Sequence, residues 1–142
     1  MVDILDAARY IVFLSYGKNR NSLTPLKLQK ILYLAQGWNY VWDDKPAFKD
    51  EFCAWQYGPV NEKVYEAFKI YGRDEIPEHE GISELSDHDV AETLEAVWKE
   101  YGKRTAYDLV ELTHNQRPWE IAYLKGIKIT NSSIRSYFQS TY

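Results

Sequence analysis

Apolar positions along the chain recur mostly at helical spacing. Ile4, Leu5, Ala8, Ile11 and Val12 form one stripe behind Asp3, whose carboxylate suits the cap of a first helix. Gly17, Asn19 and Asn21 read as a loop. At Thr24-Pro25 the helical pattern restarts, with a hydroxyl cap followed by proline in the first turn, where a missing N–H costs nothing. From Leu26 to Trp42 apolar residues fall on most faces, so this helix belongs in the middle of the domain. It is expected to fray at Asp43-Asp44, ahead of Pro46.

The spacing then changes. Glu51 to Tyr57 is too aromatic for a turn and predicts a short strand, with Gly58-Pro59 ending it and opening the next helix. Val60, Val64, Ala67, Phe68 and Tyr71 give that helix its buried stripe. Residues 73–85 read as an acidic loop with one extended piece around Ile76 or Ile82. Ser86 with Asp89, and Thr105 with Asp108, have the form of capping boxes; Val90, Leu94, Val97, Trp98 and Tyr101 follow the first, Leu109, Val110 and Leu112 the second. Pro118 opens a short helix bearing Trp119, Ala122 and Tyr123, which Gly126 closes. Ile127-Lys128-Ile129 alternates like a strand and is expected to pair with residues 52–56, and a last helix carries Ile134, Tyr137 and Phe138. The prediction is a mainly α fold of six to seven helices with a small two- or three-stranded β element, in one compact domain over residues 1–142.

The composition supports a packed core and narrows the class. A chain of 142 residues, 45% apolar and 27% charged, is neither disordered, collagen-like nor a disulfide-built miniprotein. Its single cysteine excludes an internal disulfide and favours a reducing compartment. The N-terminus lacks the basic stretch and apolar core of a secretion signal, and no apolar run nears the roughly 18 residues that span a bilayer. A cytoplasmic location with no membrane role is the expectation.

Charge is segregated. Residues 7–42 carry Arg9, Lys18, Arg20, Lys27 and Lys30 with no acid, a net +5, whereas residues 74–100 sum to −9. The acidic stretch reads first as a solvated helix face with its leader loop, and otherwise as a device that steers a basic partner. The overall acidity, with a pI near 5.4, argues against a nucleic-acid partner. The five basic residues leave that reading its one foothold.

Catalytic chemistry is hard to find. There is no glycine-rich phosphate cradle, no cysteine pair of zinc type and no nucleophile elbow. Cys53 reads as a small buried apolar residue, and His88 between Asp87 and Asp89 reads as a charged helix start, because alternate helical residues point apart. His114 has three readings: a helix C-terminal histidine bonding free carbonyls, a polar contact beside Trp119, or a general base without a visible nucleophile. Trp55, Gln56, Tyr57, Gly58 and Pro59 form the other dense cluster. Its aromatics either fill the core, the simpler reading, or line a surface cleft. No catalytic residue, cofactor or metal is predicted.

These residues carry a family resemblance. Thr24-Pro25-Leu26-Lys27-Leu28-Gln29-Lys30-Ile31-Leu32-Tyr33-Leu34-Ala35-Gln36-Gly37-Trp38 resembles the leading motif of the Panacea, or SocA-like, antitoxin domain. Phe52-Cys53-Ala54-Trp55-Gln56-Tyr57-Gly58-Pro59-Val60 resembles its second, and Leu112-Thr113-His114 with Pro118-Trp119 its third. The likeness runs from about residue 4 to residue 138. It implies a non-enzymatic antitoxin or phage-associated protein that neutralises a cognate toxin protein by direct binding. An adaptor that delivers the toxin to a cytoplasmic AAA+ protease is the alternative, and a nucleic-acid-binding phage or prophage regulator ranks below both. The partner-binding candidates are Trp55, Gln56, Tyr57, Gly58, Pro59, His114 and Trp119. Exposed tyrosines also permit a homo-oligomer.

Overall fold

In the computed structural model, which describes residues 1–142, one helix organises the rest. Helix α2 (Pro25–Asp43) is buried on nearly every face. Around it pack α1 (Ile4–Ser15), α3 (Glu62–Phe68), α4 (His88–Tyr101), α5 (Ala106–His114) and α7 (Asn131–Thr141), while α6 (Arg117–Lys125) packs against α5 and α7. Strands β1 (Cys53–Trp55) and β2 (Gly58–Val60) form a two-stranded antiparallel hairpin in which Cys53 faces Val60 and Trp55 faces Gly58. A continuous apolar core runs from Ile4 and Ile11 through Leu28, Ile31 and Leu32 to Leu94, Leu109, Ile134 and Phe138. No helix is long and apolar enough to cross a membrane.

The helices begin where local chemistry says they should. Asp3 accepts from the Leu5 amide at 2.8 Å, Thr24 from the Lys27 amide at 3.4 Å, and Thr105 and Asp108 close a reciprocal box ahead of α5. At the far end of α2, Asp44 adopts a left-handed conformation with φ 55° and stops the helix sharply.

Helix α2 also buries polar side chains, each held by the backbone of a neighbouring segment. Gln36 accepts from the Ala47 and Phe48 amides and donates to the Phe48 carbonyl at 2.7 Å, pinning the loop after α2. Asn39 donates to the Lys45 carbonyl at 2.8 Å and accepts from the Thr93 hydroxyl at 2.7 Å. The Lys27 ammonium donates to the Gly102 and Ser22 carbonyls at 2.6 and 2.8 Å and lies over the Trp98 ring. Close approach of α2 to α7 needs Gly37, because an added Cβ would meet the Phe138 ring at 2.4 Å.

Several expected elements differ. Gly58-Pro59 does not open a helix: with Val60 it forms β2, and α3 starts only after Asn61, whose side chain accepts from the Val64 amide at 3.0 Å. The third strand reduces to one bridge, Phe52 with Ile129, since α7 begins directly behind it. Asp87 rather than Ser86 caps α4, accepting from the Asp89 and Val90 amides. Residues 73–85 hold no strand; a single 3₁₀ turn at Glu78–Glu80 sits beside α1, with Glu80 bound by Arg9 and Tyr71. Cys53 is half-buried and its thiol donates to Glu62 at 3.3 Å, so it is not an inert core residue.

Candidate functional site

The hairpin is a raised element with an anchored inner side and an aromatic outer side. Its anchors begin with Lys30, which is fully buried yet makes no ion pair; its ammonium donates to the Pro59 carbonyl at 2.9 Å. Burial pushes the Lys30 ammonium down to about 7. Gln29 and Asn61 bond reciprocally: the Gln29 amide donates to the Asn61 carbonyl at 3.0 Å, and the Asn61 N–H donates to Gln29 at 2.8 Å. Asn61 also donates to the Glu51 carbonyl at 2.9 Å, tying both ends of the hairpin together.

Gly58 explains why three separate stretches of sequence converge here. Its φ of +106° disfavours any residue with a side chain. An added Cβ would also lie 2.6 Å from Lys30 Cε and 2.9 Å from Thr113 Oγ1. Lys30 from α2, Gly58 from the hairpin and Thr113 from α5 therefore meet at one buried point. Thr113 donates to the Leu109 and Val110 carbonyls, which fixes in place the hydroxyl that faces the glycine.

The tip is clamped from the other side. Trp119 Nε1 donates to the Trp55 carbonyl at 2.8 Å, and His114 Nε2 lies 2.9 Å from the Gln56 carbonyl. A carbonyl only accepts, so Nε2 carries the proton in this contact. His114 stacks on Trp119 at 4.0 Å between centroids, Trp119 stacks on Tyr123 at 4.7 Å, and Trp55 meets Tyr65 edge-on at 5.0 Å. Backbone carbonyls that would otherwise point to water are thereby capped by aromatic N–H groups, and the rings are held in fixed orientation.

The rings form two half-exposed groups, His114–Trp119–Tyr123 and Trp55–Tyr65, joined where Trp119 binds the Trp55 carbonyl, with Tyr57 beside the second. Trp55 is 37% exposed, Tyr57 54%, Tyr65 42% and Tyr123 46%. Core filling, the simpler expectation for Trp55 and Tyr57, is not what they do. Tyr57 sits in the turn rather than on the strand, and the inner side of the hairpin is already occupied by Lys30 and Val60. Between the hairpin, α3 and the start of α2 lies a cleft of about 480 Å³, lined by Leu26, Trp55, Tyr57, Val64, Tyr65 and Phe68 among others. Orientable amphipathic rings beside an apolar cleft are what protein-contact surfaces use.

Residues 28–120 match the family described as antitoxin SocA-like, Panacea domain. The chain belongs to this family. Antitoxin SocA of Caulobacter vibrioides (strain NA1000 / CB15N) is 32% identical over 111 residues, which is 70% of this chain and 59% of that protein. The chain therefore matches less than two-thirds of its relative's length. No solved structure matches.

Within this Panacea domain the motif residues divide into two groups. Thr24, Pro25, Lys27, Leu28, Gln29, Lys30, Tyr33, Gln36, Val60, Thr113 and Pro118 cap helices, fill the core or bind backbone from within. Tyr33, for example, packs edge-on against Phe52 and Phe138. Trp55, Gln56, Tyr57, His114 and Trp119 gather at the hairpin tip, with Gly58 and Pro59 as its inner hinge. Sequence reasoning missed Tyr65, Tyr123 and Asn61. Tyr65 was detectable as the exposed neighbour of the Val64 stripe, and Asn61 as a cap residue three positions before Val64.

Charge takes a different form from its linear pattern. Of the basic run only Lys18 stays exposed and unpaired, too little for a phosphate-binding face: Lys27 and Lys30 are buried, Arg9 pairs with Glu80 at 2.6 Å, and Arg20 pairs with Glu75. The acidic stretch is partly consumed by these pairs and by the N-terminal ammonium on Asp87. Glu84, Asp89 and Glu92 remain exposed.

Proposed function

We propose that the chain is an antitoxin that neutralises a cognate toxin protein by direct contact through the aromatic hairpin surface. Membership of the antitoxin family carries this reading, and the anchored hairpin supplies the surface. Trp, Tyr and an apolar cleft on a rigid support offer large contact area at low ordering cost. Exposed Glu84, Asp89 and Glu92 on the acidic face would add encounter rate for a basic toxin.

The test is growth rescue. The neighbouring gene of the same operon is expressed alone and with this chain, and then with the double variant Tyr57→Ser/Tyr123→Ser, whose rings make no hydrogen bond in the structure. Arrest by the neighbour, rescue by the native chain and failure of the folded variant is the expected result. Full rescue by the variant, with native affinity in a pull-down, overturns the assignment of the surface. A harmless neighbour removes the antitoxin reading for that pair.

A further inference from the structure

We propose that His114 and Trp119 are positioning residues: they latch the hairpin tip in the form that meets the partner, and spend their N–H groups on the tip and not on the partner. The inference rests on the hairpin being the contact surface, and it gives that surface a support in α5 and α6.

The two ends of the hairpin are held differently. Its base has several ties: Lys30 to the Pro59 carbonyl, Gln29 to both backbone groups of Asn61, and Asn61 to the Glu51 carbonyl. The turn has none of its own. No backbone N–H or carbonyl of Gln56 or Tyr57 bonds to another backbone group, and the one hydrogen bond that either residue makes is from His114 to the Gln56 carbonyl. A hairpin of two three-residue strands is marginal by itself, so a turn without an outside hold moves between conformations.

That hold comes from one stiff elbow. His114 is the last residue of α5 and Trp119 the third of α6. Between the helices, Asn115 donates to the Glu111 and Leu112 carbonyls, and Gln116 is buried with its N–H on the Thr113 carbonyl. The elbow thereby aims two N–H groups at consecutive carbonyls, Trp55 at 2.8 Å and Gln56 at 2.9 Å. An indole has a single donor, so Trp119 has none left for a partner, and its ring already stacks on both His114 and Tyr123. Each such bond favours the latched tip over an open one by about two- to tenfold. A tip set in advance loses less freedom on binding, so the pair acts on affinity through Trp55, Gln56 and Tyr57.

The experiment measures ¹⁵N order parameters of Trp55, Gln56 and Tyr57 in the full chain without a partner. In the native protein they should match the helices, at about 0.85. Trp119→Phe/His114→Leu keeps a ring at 119 and removes both donors. It should drop the tip below about 0.6 while the urea midpoint, and the shifts outside the hairpin and the elbow, stay native. Trp119→Phe/His114→Gln places an amide N–H where the imidazole Nε2 stood and should restore order at Gln56. In a pull-down with the product of the neighbouring gene, the donor-less variant should lose affinity by about threefold or more, and the glutamine variant should regain most of it. A tip equally ordered without the donors, or already mobile in the native chain, overturns the proposal. So does a glutamine variant no better than the leucine one, or native affinity in a variant whose tip has become mobile. A fall in the urea midpoint with shifts throughout the spectrum overturns it too, since the pair would then hold the fold and not the tip. A harmless neighbour counts against the antitoxin reading alone, because the order parameters are measured without a partner.

Discussion

Lys30 makes the stability of this domain rise with pH, in the same direction as acid-labile ion pairs but in a window several pH units higher. Its ammonium is fully buried, with one carbonyl partner and no carboxylate. The folded-state value of about 7 lies well below the ordinary lysine value of 10.5. Between those values the unfolded chain binds the proton and the folded chain does not, so stability rises as pH rises. Below about 7 both states are protonated and the burial penalty is paid in full. From pH 7 to pH 9.5 the gain from this group is roughly 2–3 kcal/mol, at 1.36 kcal/mol per unit of separation and allowing for partial titration at the lower end. Urea melts at pH 6.5, 8 and 9.5 on the native chain and on Lys30→Met measure it. The methionine keeps the length of the stem and cannot titrate, so the difference between the two curves isolates Lys30 from the other groups that titrate in this window. The native chain should gain on the variant by about 2 kcal/mol or more across the range. Parallel curves would refute the reasoning and mean that the amine reaches water or an acid in solution.

Other sites give smaller tests. Gly58→Ala forces a side chain onto a φ of +106° and into Lys30 and Thr113, and should cost on the order of 3 kcal/mol by thermal or urea melting. Asn61→Ala removes both the α3 cap and the Glu51 tether and should cost about 2 kcal/mol. Asn61→Asp retains the cap acceptor but not the donor, and should fall between native and alanine. Gly37→Ala sets helix propensity, worth about 1 kcal/mol in its favour, against overpacking on Phe138 of about 1–3 kcal/mol. A net loss is expected, and a double-mutant cycle with Phe138→Leu should show coupling of at least about 0.5 kcal/mol.

The helices are legible in the chain alone, because their causes are local. Asp3, Thr24 and Thr105 cap the amides that follow them, and the stripes of α1, α4 and α7 repeat within a few turns. The run from Leu26 to Trp42 likewise shows a central helix, since apolar residues on most faces exclude a surface position. What lies at short range was legible even near the site: Gly58 and Pro59 announce a turn, although not that the chain turns back into a second strand.

What the polar residues do depends on contacts far apart in the chain. Nothing in Lys27, Lys30, Arg9 and Arg20 as a linear run distinguishes a basic face from two buried cations and two ion pairs, because their partners lie 29 to 75 positions away. The same holds at the hairpin. Trp55 is aromatic in either setting, and whether its ring faces the core or water depends on Lys30 filling the inner side and Trp119 holding the tip from α6. Hydrophobic periodicity records how much area a segment buries. It does not record which distant backbone group takes up a buried ammonium, and in this fold that pairing is what turns the aromatic hairpin outward.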